Sequence, residues 1–296
     1  MRICVIFNPT ARGEKARRFR KHLDAFGSQC ALKLTAAAGD ARRLAAAAVA
    51  EDFEVVVAAG GDGTVNEVLN GIGDAPDGFK RCSLGVLPLG TVNVFAREMA
   101  IPANLTRAWQ CLLAGKETCI DLPRAEYQTS EGLQQRYFAQ LAGAGLDARA
   151  VELVQWSLKK KIGVLAYVIA GLKALAGPPA DITVQCGTRQ TKAQLVLIGN
   201  GILYGGNYRL FPEADLRDGL LEVCAFPRVN WLTLARCGPQ LLLRGNLPAS
   251  TIQLFRGTTV TLTSSDRTPM QLDGELAGQL PSTFSIGPRR LRVVVP

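Results

Sequence analysis

Short, near-continuous apolar runs alternate with segments of helical period through the first third of the chain. Arg2 to Phe7, Cys30 to Leu34, Glu54 to Ala59 and Leu84 to Leu87 are dominated by Val, Ile, Leu, Ala and Cys, as expected of strands buried on both faces. Helical patterns start between them near Glu14, Asp40 and Thr64. This alternation predicts a parallel sheet covered by helices. Ligands of such sheets gather beyond the carboxyl ends of the strands, where Asn8, Thr35, Gly60 to Thr64 and Gly90-Thr91 fall. The Ala-rich segment Ala41 to Ala50 suits a helix packed closely on a sheet. From about Leu122 the pattern changes to strand-like runs separated by turns: Arg136 to Gly143, Ile182 to Cys186, Gln194 to Gly199, Leu220 to Phe226, Thr258 to Thr263 and Thr283 to Ile286. They predict an all-β second domain with one long helical interruption, Val151 to Ala176.

Composition narrows the partner. With 296 residues, 48% of them hydrophobic, the chain can fill two modest cores. A net charge of +9 calls for an anionic partner: nucleotide phosphate, an acidic membrane surface or nucleic acid. Only 6% of residues are aromatic and no nucleic-acid module is present, which argues against nucleic acid. The eight cysteines occur singly, without a Cys-x-x-Cys and with His22 as the one imidazole, so they read as buried free thiols in a reducing compartment. Met1 to Phe7 leads straight into a strand and reaches Asn8-Pro9 before a signal-peptide core is complete, an expectation of cytoplasmic location. His22, in a basic helix from Glu14 to Phe26, receives no role. Trp156 and Lys159-Lys160-Lys161 precede an apolar run of 11 residues, Ile162 to Leu172, short of the ~20 needed to span a bilayer. A core helix with a solvated Lys edge and an interfacial helix on anionic lipid both fit that segment.

The most specific stretch is Val55 to Glu67, a buried strand joined to a helix through Gly60-Gly61-Asp62-Gly63-Thr64. Glycines there permit positive φ and close approach of backbone to a ligand, and the helix start offers unpaired N–H groups to polyphosphate. Asp62 amid such a cradle requires a cation or a proton in transit. No Lys-Ser/Thr pair ends the loop, and Asn66 stands where a dinucleotide fingerprint has its third glycine. Asp273-Gly274-Glu275 reads two ways. In an extended stretch both carboxylates face one side, whereas Asp-Gly is also a strong hairpin-turn signal.

Together with Asn8-Pro9, Leu87 to Asn93, Ala142 to Ala148, Tyr204-Gly205-Gly206, Asp218-Gly219-Leu220 and Leu272 to Glu275, this loop resembles the signature of the diacylglycerol kinase catalytic-domain family. That family includes bacterial soluble lipid kinases and sphingosine kinases and is distantly related to NAD kinases. The motifs match in order over nearly the whole chain. The resemblance implies an N-terminal α/β nucleotide-binding domain (residues 1–121, completed by 288–296), a β-sandwich substrate domain (122–287) and an active site in the cleft between them. It implies transfer of the γ-phosphoryl group of ATP, with Mg²⁺, to a lipid hydroxyl, on a cytoplasmic enzyme in peripheral contact with anionic membrane. It also allows a homodimer. Nucleotide contacts are expected at Asn8, Thr35, Gly60, Gly61, Asp62, Gly63, Thr64, Val65, Asn66, Glu67 and Thr91, although a lone Thr35 also reads as a helix cap. Catalytic roles fall to Asp62 and to a base at Glu275 or Asp273, with Glu275 preferred. A structural magnesium site is expected from Asp218 with backbone carbonyls of Asp215 and Leu220, against the alternative of a simple Asp-Gly turn. One departure stands out. Val94 replaces the Asp that many relatives carry after Gly-Thr-x-Asn, leaving Asp62 and Asp121 to organise metal. An NAD-kinase-like enzyme and a non-catalytic nucleotide- or lipid-binding regulator of the same fold are the alternative readings.

Overall fold

The structure, a computed structural model, describes residues 1–9, 17, 19, 30–153, 164–244 and 247–296. The expected helix around His22, together with Trp156 and Lys159 to Lys161, lies outside the described residues. The chain forms two compact units, Met1–Leu122 with Pro288–Pro296, and Pro123–Gly287.

In the first unit, β1 (Ile3–Phe7), β2 (Ala31–Leu34), β3 (Val55–Gly60) and β4 (Ser83–Pro88) form a parallel sheet in the order β2-β1-β3-β4. β1, β3 and β4 are buried along their whole length, which is why their sequences lack alternation. β2 lies at the edge and exposes Leu32 and Leu34. Helix α1 (Asp40–Ala50) buries Ala41, Ala45, Ala48 and Val49. It lies so close to α2 (Asp62–Asp74) that a Cβ on Gly71 would strike the Arg42 carbonyl. The small residues of the Ala-rich segment therefore serve close packing. Helices α3 (Gly78–Arg81), α4 (Val94–Glu98) and α5 (Leu105–Ala114) complete the helical cover.

The second unit is a β-sandwich. Strand β5 (Glu117–Thr129) starts in the first unit and ends in the second, where it pairs with β6 (Gly132–Tyr137). After β7 (Leu141–Gly145) the expected helical interruption appears as α6 (Leu146–Leu153) and α7 (Val164–Leu175). Strands β8 (Ile182–Cys186), β9 (Arg189–Ala193), β10 (Leu195–Gly199), the small β11 (Leu203–Tyr204) and β12 (Tyr208–Arg209) hairpin, and β13 (Leu221–Phe226) follow. A second helix, α8 (Trp231–Arg244), interrupts the region that sequence alone read as strands, before β14 (Gln253–Gly257), β15 (Thr259–Ser264), β16 (Pro269–Leu272) and β17 (Glu275–Val294). One antiparallel layer runs β14-β13-β10-β7-β16-β17, and the other runs β9-β8-β15, with β15 also pairing with β17. Phe138 and Phe284, both fully buried with ring centroids 6.1 Å apart, sit in the shared core. The last residues of β17 return to the first unit, where Val293 pairs in parallel with Leu84 and both side chains are fully buried. No helix among the described residues is long and apolar enough to cross a membrane.

Candidate active site

Two glycine loops of the first unit are laced together at the carboxyl edge of its sheet. The Gly60 carbonyl accepts from Leu89 N at 2.9 Å and from Gly90 N at 3.1 Å. A Cβ on Gly60 would run into the Thr64 hydroxyl, and one on Gly90 would come within 2.6 Å of Gly61 Cα. Positive φ is not the reason for these glycines, contrary to expectation: Gly61 has φ −95°, and neither Gly60 nor Gly63 has a positive φ. Contact with Thr64 requires Gly60, and contact of backbone with backbone requires Gly90.

Helix α2 starts at Asp62, two residues before the expected Thr64, so Asp62 belongs to its first turn. The Asp62 carboxylate accepts from Phe95 N at 3.1 Å and so ties the first loop to α4. Gly61, Asp62, Gly63 and Thr64 are half-buried and Thr91 is exposed, which leaves them open to a ligand. Val65, Asn66 and Glu67, also expected as contacts, are engaged within the fold. Val65 (3% exposed) and Asn66 (0%) are core residues, and Asn66 accepts from Asn70 Nδ2 through both its backbone and side-chain oxygens, at 2.9 and 3.2 Å. Both carboxylate oxygens of Glu67 cap α1, accepting from Gly39 N and Ala41 N at 3.0 Å each. Thr35 is buried, with its N–H donating to the Phe7 carbonyl at 3.0 Å, and Asn8 N donates to the Ala59 carbonyl at 3.4 Å. Asn93, at φ 54°, donates to the Gly90 carbonyl at 2.7 Å, while its buried Oδ1 has no hydrogen-bond partner among the described residues. An orphaned buried acceptor beside a glycine cradle fits a polar ligand between the loops. Asp121, expected to help organise metal, is buried and pairs with Arg290 at 3.4 Å.

In the second unit, Asp273 and Gly274 form a two-residue turn with φ 49° and 84°, with Leu272 opposite Glu275. The extended reading of Asp273-Gly274-Glu275 is thus corrected to the hairpin reading, because consecutive positive φ values reverse the chain. The two carboxylates go to different partners. Asp273 accepts from three backbone amides, Ala139 (2.8 Å), Gln140 (2.9 Å) and Leu141 (3.0 Å), which binds the turn to the start of β7. Glu275, 41% exposed, pairs with Arg136 at 2.8 Å.

Behind the turn lies a network that sequence reading missed. Asp147 accepts from the Tyr204 hydroxyl and from Gln271 Nε2, each at 2.8 Å, and Gln271 Oε1 accepts from Gly274 N at 2.7 Å. The Ala142 to Ala148, Tyr204 and Leu272 to Glu275 motifs therefore converge in space. Burial pushes the Asp147 carboxyl above the ordinary Asp range, opposed by the bonds from Tyr204 and Gln271. Gly143 completes the fit, since a Cβ there would collide with the Asp147 carboxylate. The one signal available earlier was that these segments shared a family signature.

The loop Asp215 to Leu220 is an exposed turn, with Asp215 accepting from Arg217 N at 3.1 Å and Asp218 from Leu220 N at 2.9 Å. Among the described residues no group of three or more His, Cys, Asp or Glu side chains is placed to hold a metal. Of the cysteines, Cys4, Cys82, Cys186, Cys224 and Cys237 are buried, but Cys30 and Cys111 are half-buried and Cys119 is exposed, a correction to uniform burial.

Residues 2–125 match the diacylglycerol kinase catalytic domain, and residues 140–295 match the YegS C-terminal NAD kinase beta sandwich-like domain. A diacylglycerol kinase of Bacillus subtilis (strain 168) is 30% identical over 99% of this chain and 95% of its own length. One from Staphylococcus carnosus (strain TM300) is 29% identical over 99% and 94%. The fold matches a solved diacylglycerol kinase from Bacillus anthracis str. Sterne with a TM-score of 0.70 at 18% identity, over 100% of this chain and 97% of that one. A second chain from that organism gives 0.80 at 19% identity, over 100% and 95%. With both domains matched in order and the loops, turn and network built from the same motifs, the chain belongs to the diacylglycerol kinase catalytic-domain family of lipid kinases.

Proposed function

We propose that this kinase transfers the γ-phosphoryl group of ATP to a lipid hydroxyl, in peripheral contact with an anionic membrane on the cytoplasmic side. The laced Gly60-Gly61 and Gly90 loops carry this reading, with the start of α2 beside them and Asn93 Oδ1, unpartnered among the described residues, next to Gly90. Amides of the first turn of α2 and the Thr64 and Thr91 hydroxyls hold the phosphates. Asp62 holds α4 in place and presents a carboxylate toward the transferring group. Glu275 takes the proton of the acceptor hydroxyl, because Asp273 spends its lone pairs on three amides. Arg136 orients Glu275, and the Asp147-Gln271 network holds the turn from behind.

Mg²⁺ supplies neutralisation of phosphate charge when bound. The Asp218 carboxylate and the backbone oxygens of Asp215 and Leu220 are hard donors suited to a second, structural ion. Diacylglycerol-like, sphingoid and phosphatidylglycerol-like acceptors share the required primary hydroxyl. A non-catalytic binding role draws on Val94 and on the Asp121–Arg290 pair, which together leave the expected metal network short of a carboxylate. Incubation with radiolabelled ATP, Mg²⁺ and a total lipid extract tests the proposal. Label is expected in the organic phase and not in NAD. A folded, ATP-binding protein that labels no lipid overturns it in favour of the regulator.

A further inference from the structure

The first turn of helix α8 turns two large apolar side chains to solvent. Trp231 is 61% exposed and Leu232 57%, and Ala235, one turn on from Trp231, is exposed as well, whereas the buried side carries Thr233 and Cys237. In this first turn the apolar and polar sides are exchanged relative to an ordinary core helix. A frayed end does not account for it, because the first turn is firmly held. Asn230 Oδ1 accepts from Thr233 N at 2.9 Å, Asn230 N donates to Thr233 Oγ1 at 3.3 Å, and that hydroxyl contacts the Arg228 carbonyl at 3.2 Å.

Polar chemistry of one sign surrounds the exposed Leu232, next to Trp231 in the chain. A surface hollow of about 370 Å³ is lined by Leu232 together with Arg228, Asn230, Arg236, Ser250 and Thr251, and none of its described lining residues is a carboxylate. A second hollow shares Arg228 and Asn230 and adds Arg149, again without a carboxylate. Arg228 and Arg236 are exposed. A Trp and a Leu projecting past guanidinium groups and hydroxyls have the composition of a bilayer interface: apolar bodies for the acyl boundary, cations for the phosphates.

We infer that the first turn of α8, with Arg228 and Arg236, is the surface that docks on an anionic phospholipid membrane. The inference rests on the lipid-acceptor reading and names where the membrane is met. Trp231 and Leu232 enter the head-group boundary, and the two arginines engage lipid phosphates around the hollow. The net charge of +9 adds attraction at long range.

The chain has three tryptophans, which allows a direct test: Trp109 is buried, Trp156 lies in the basic stretch outside the described residues, and Trp231 is exposed. Vesicles of phosphatidylcholine with phosphatidylglycerol, carrying brominated acyl chains, should quench wild-type fluorescence. Trp231→Phe should still sediment with these vesicles but lose most of the quenching, while Trp156→Phe keeps it. The Arg228→Gln/Arg236→Gln double variant should partition about 25-fold more weakly, at about fivefold per basic residue, and by much less on pure phosphatidylcholine. Quenching that persists in Trp231→Phe and vanishes in Trp156→Phe overturns the proposal in favour of the Lys159 to Lys161 stretch. So does a wild-type dimer that Leu232→Ser splits without changing vesicle binding, since the face then belongs to a second copy of the chain. Turnover on a water-soluble, short-chain acceptor keeps the kinase reading separate: failure there refutes that reading and leaves the docking result standing.

Discussion

Asp62 of the first unit and Asp273, Glu275 and Asp147 of the second make different demands on their surroundings, and each gives a different expectation when altered. Asp62→Asn keeps an oxygen to accept from Phe95 N, so the fold should survive while turnover falls by about 10²-fold or more. Wild-type turnover from the folded variant would refute this. Glu275→Gln should lower kcat with little change in ATP affinity, because a base acts in the transition state. Asp273→Asn should instead act first on stability, since an amide cannot accept from three backbone donors; the cost is about 1–3 kcal/mol, read as a lower urea midpoint. A stable but inactive Asp273→Asn with an active Glu275→Gln would exchange the two roles. Asp147 introduces pH dependence. Its folded pKa is raised by burial, so between the unfolded value near ~3.9 and the folded one the native state holds a proton that the unfolded chain releases. The stability from this group is fully present below about pH 4 and is lost as pH rises through the folded pKa. The difference in urea midpoint between wild type and Asp147→Asn should change over that window, and a pH-independent difference would refute the assignment. None of these partnerships was legible in the sequence. Asp273 meets amides 132 to 134 positions away and Glu67 caps a helix 26 to 28 positions back, distances over which residue type and spacing carry no signal.

Elements were legible where one physical signal dominated. The buried parallel strands of the first unit appear as unbroken apolar runs, and β1, β2, β3 and β4 fall within a residue or so of the expected segments. Helix α8 escaped for two reasons. Its exposed face carries Trp231 and Leu232, which spoils the apolar periodicity, and Gly238-Pro239 reads as a break. Its Asn230 cap was the usable clue. The glycine loops have their own prediction at this scale. Gly90→Ala would drive a Cβ against the backbone of Gly61, and unlike a clash with a side-chain tip this moves the loop. Overpacking of this kind costs about 1–3 kcal/mol. Nucleotide affinity should drop at least about tenfold, as expected when a binding group is displaced by ~1 Å. ATP titration checks it, and unchanged affinity would mean that the cradle lies elsewhere.

At the scale of the molecule, the final strand belongs to both units. Leu291, Val293 and Val294 are buried in the first unit, and each such side chain is worth up to about 1.5–3 kcal/mol, against a typical domain stability of about 5–15 kcal/mol. Truncation after Gly287 should therefore abolish ATP binding while the β-sandwich still melts cooperatively, as followed by circular dichroism. Wild-type ATP affinity in the truncated chain would refute it. The same strand sets an order of events during synthesis. Residues 1–122 are made before the whole second unit, yet the segment that completes their sheet, residues 288–296, is made only after it. At about 5–20 residues per second the first unit waits roughly ten to thirty seconds with one edge of β4 open. In that interval it depends on its own incomplete core, or on a chaperone, to keep that edge from pairing with another nascent chain.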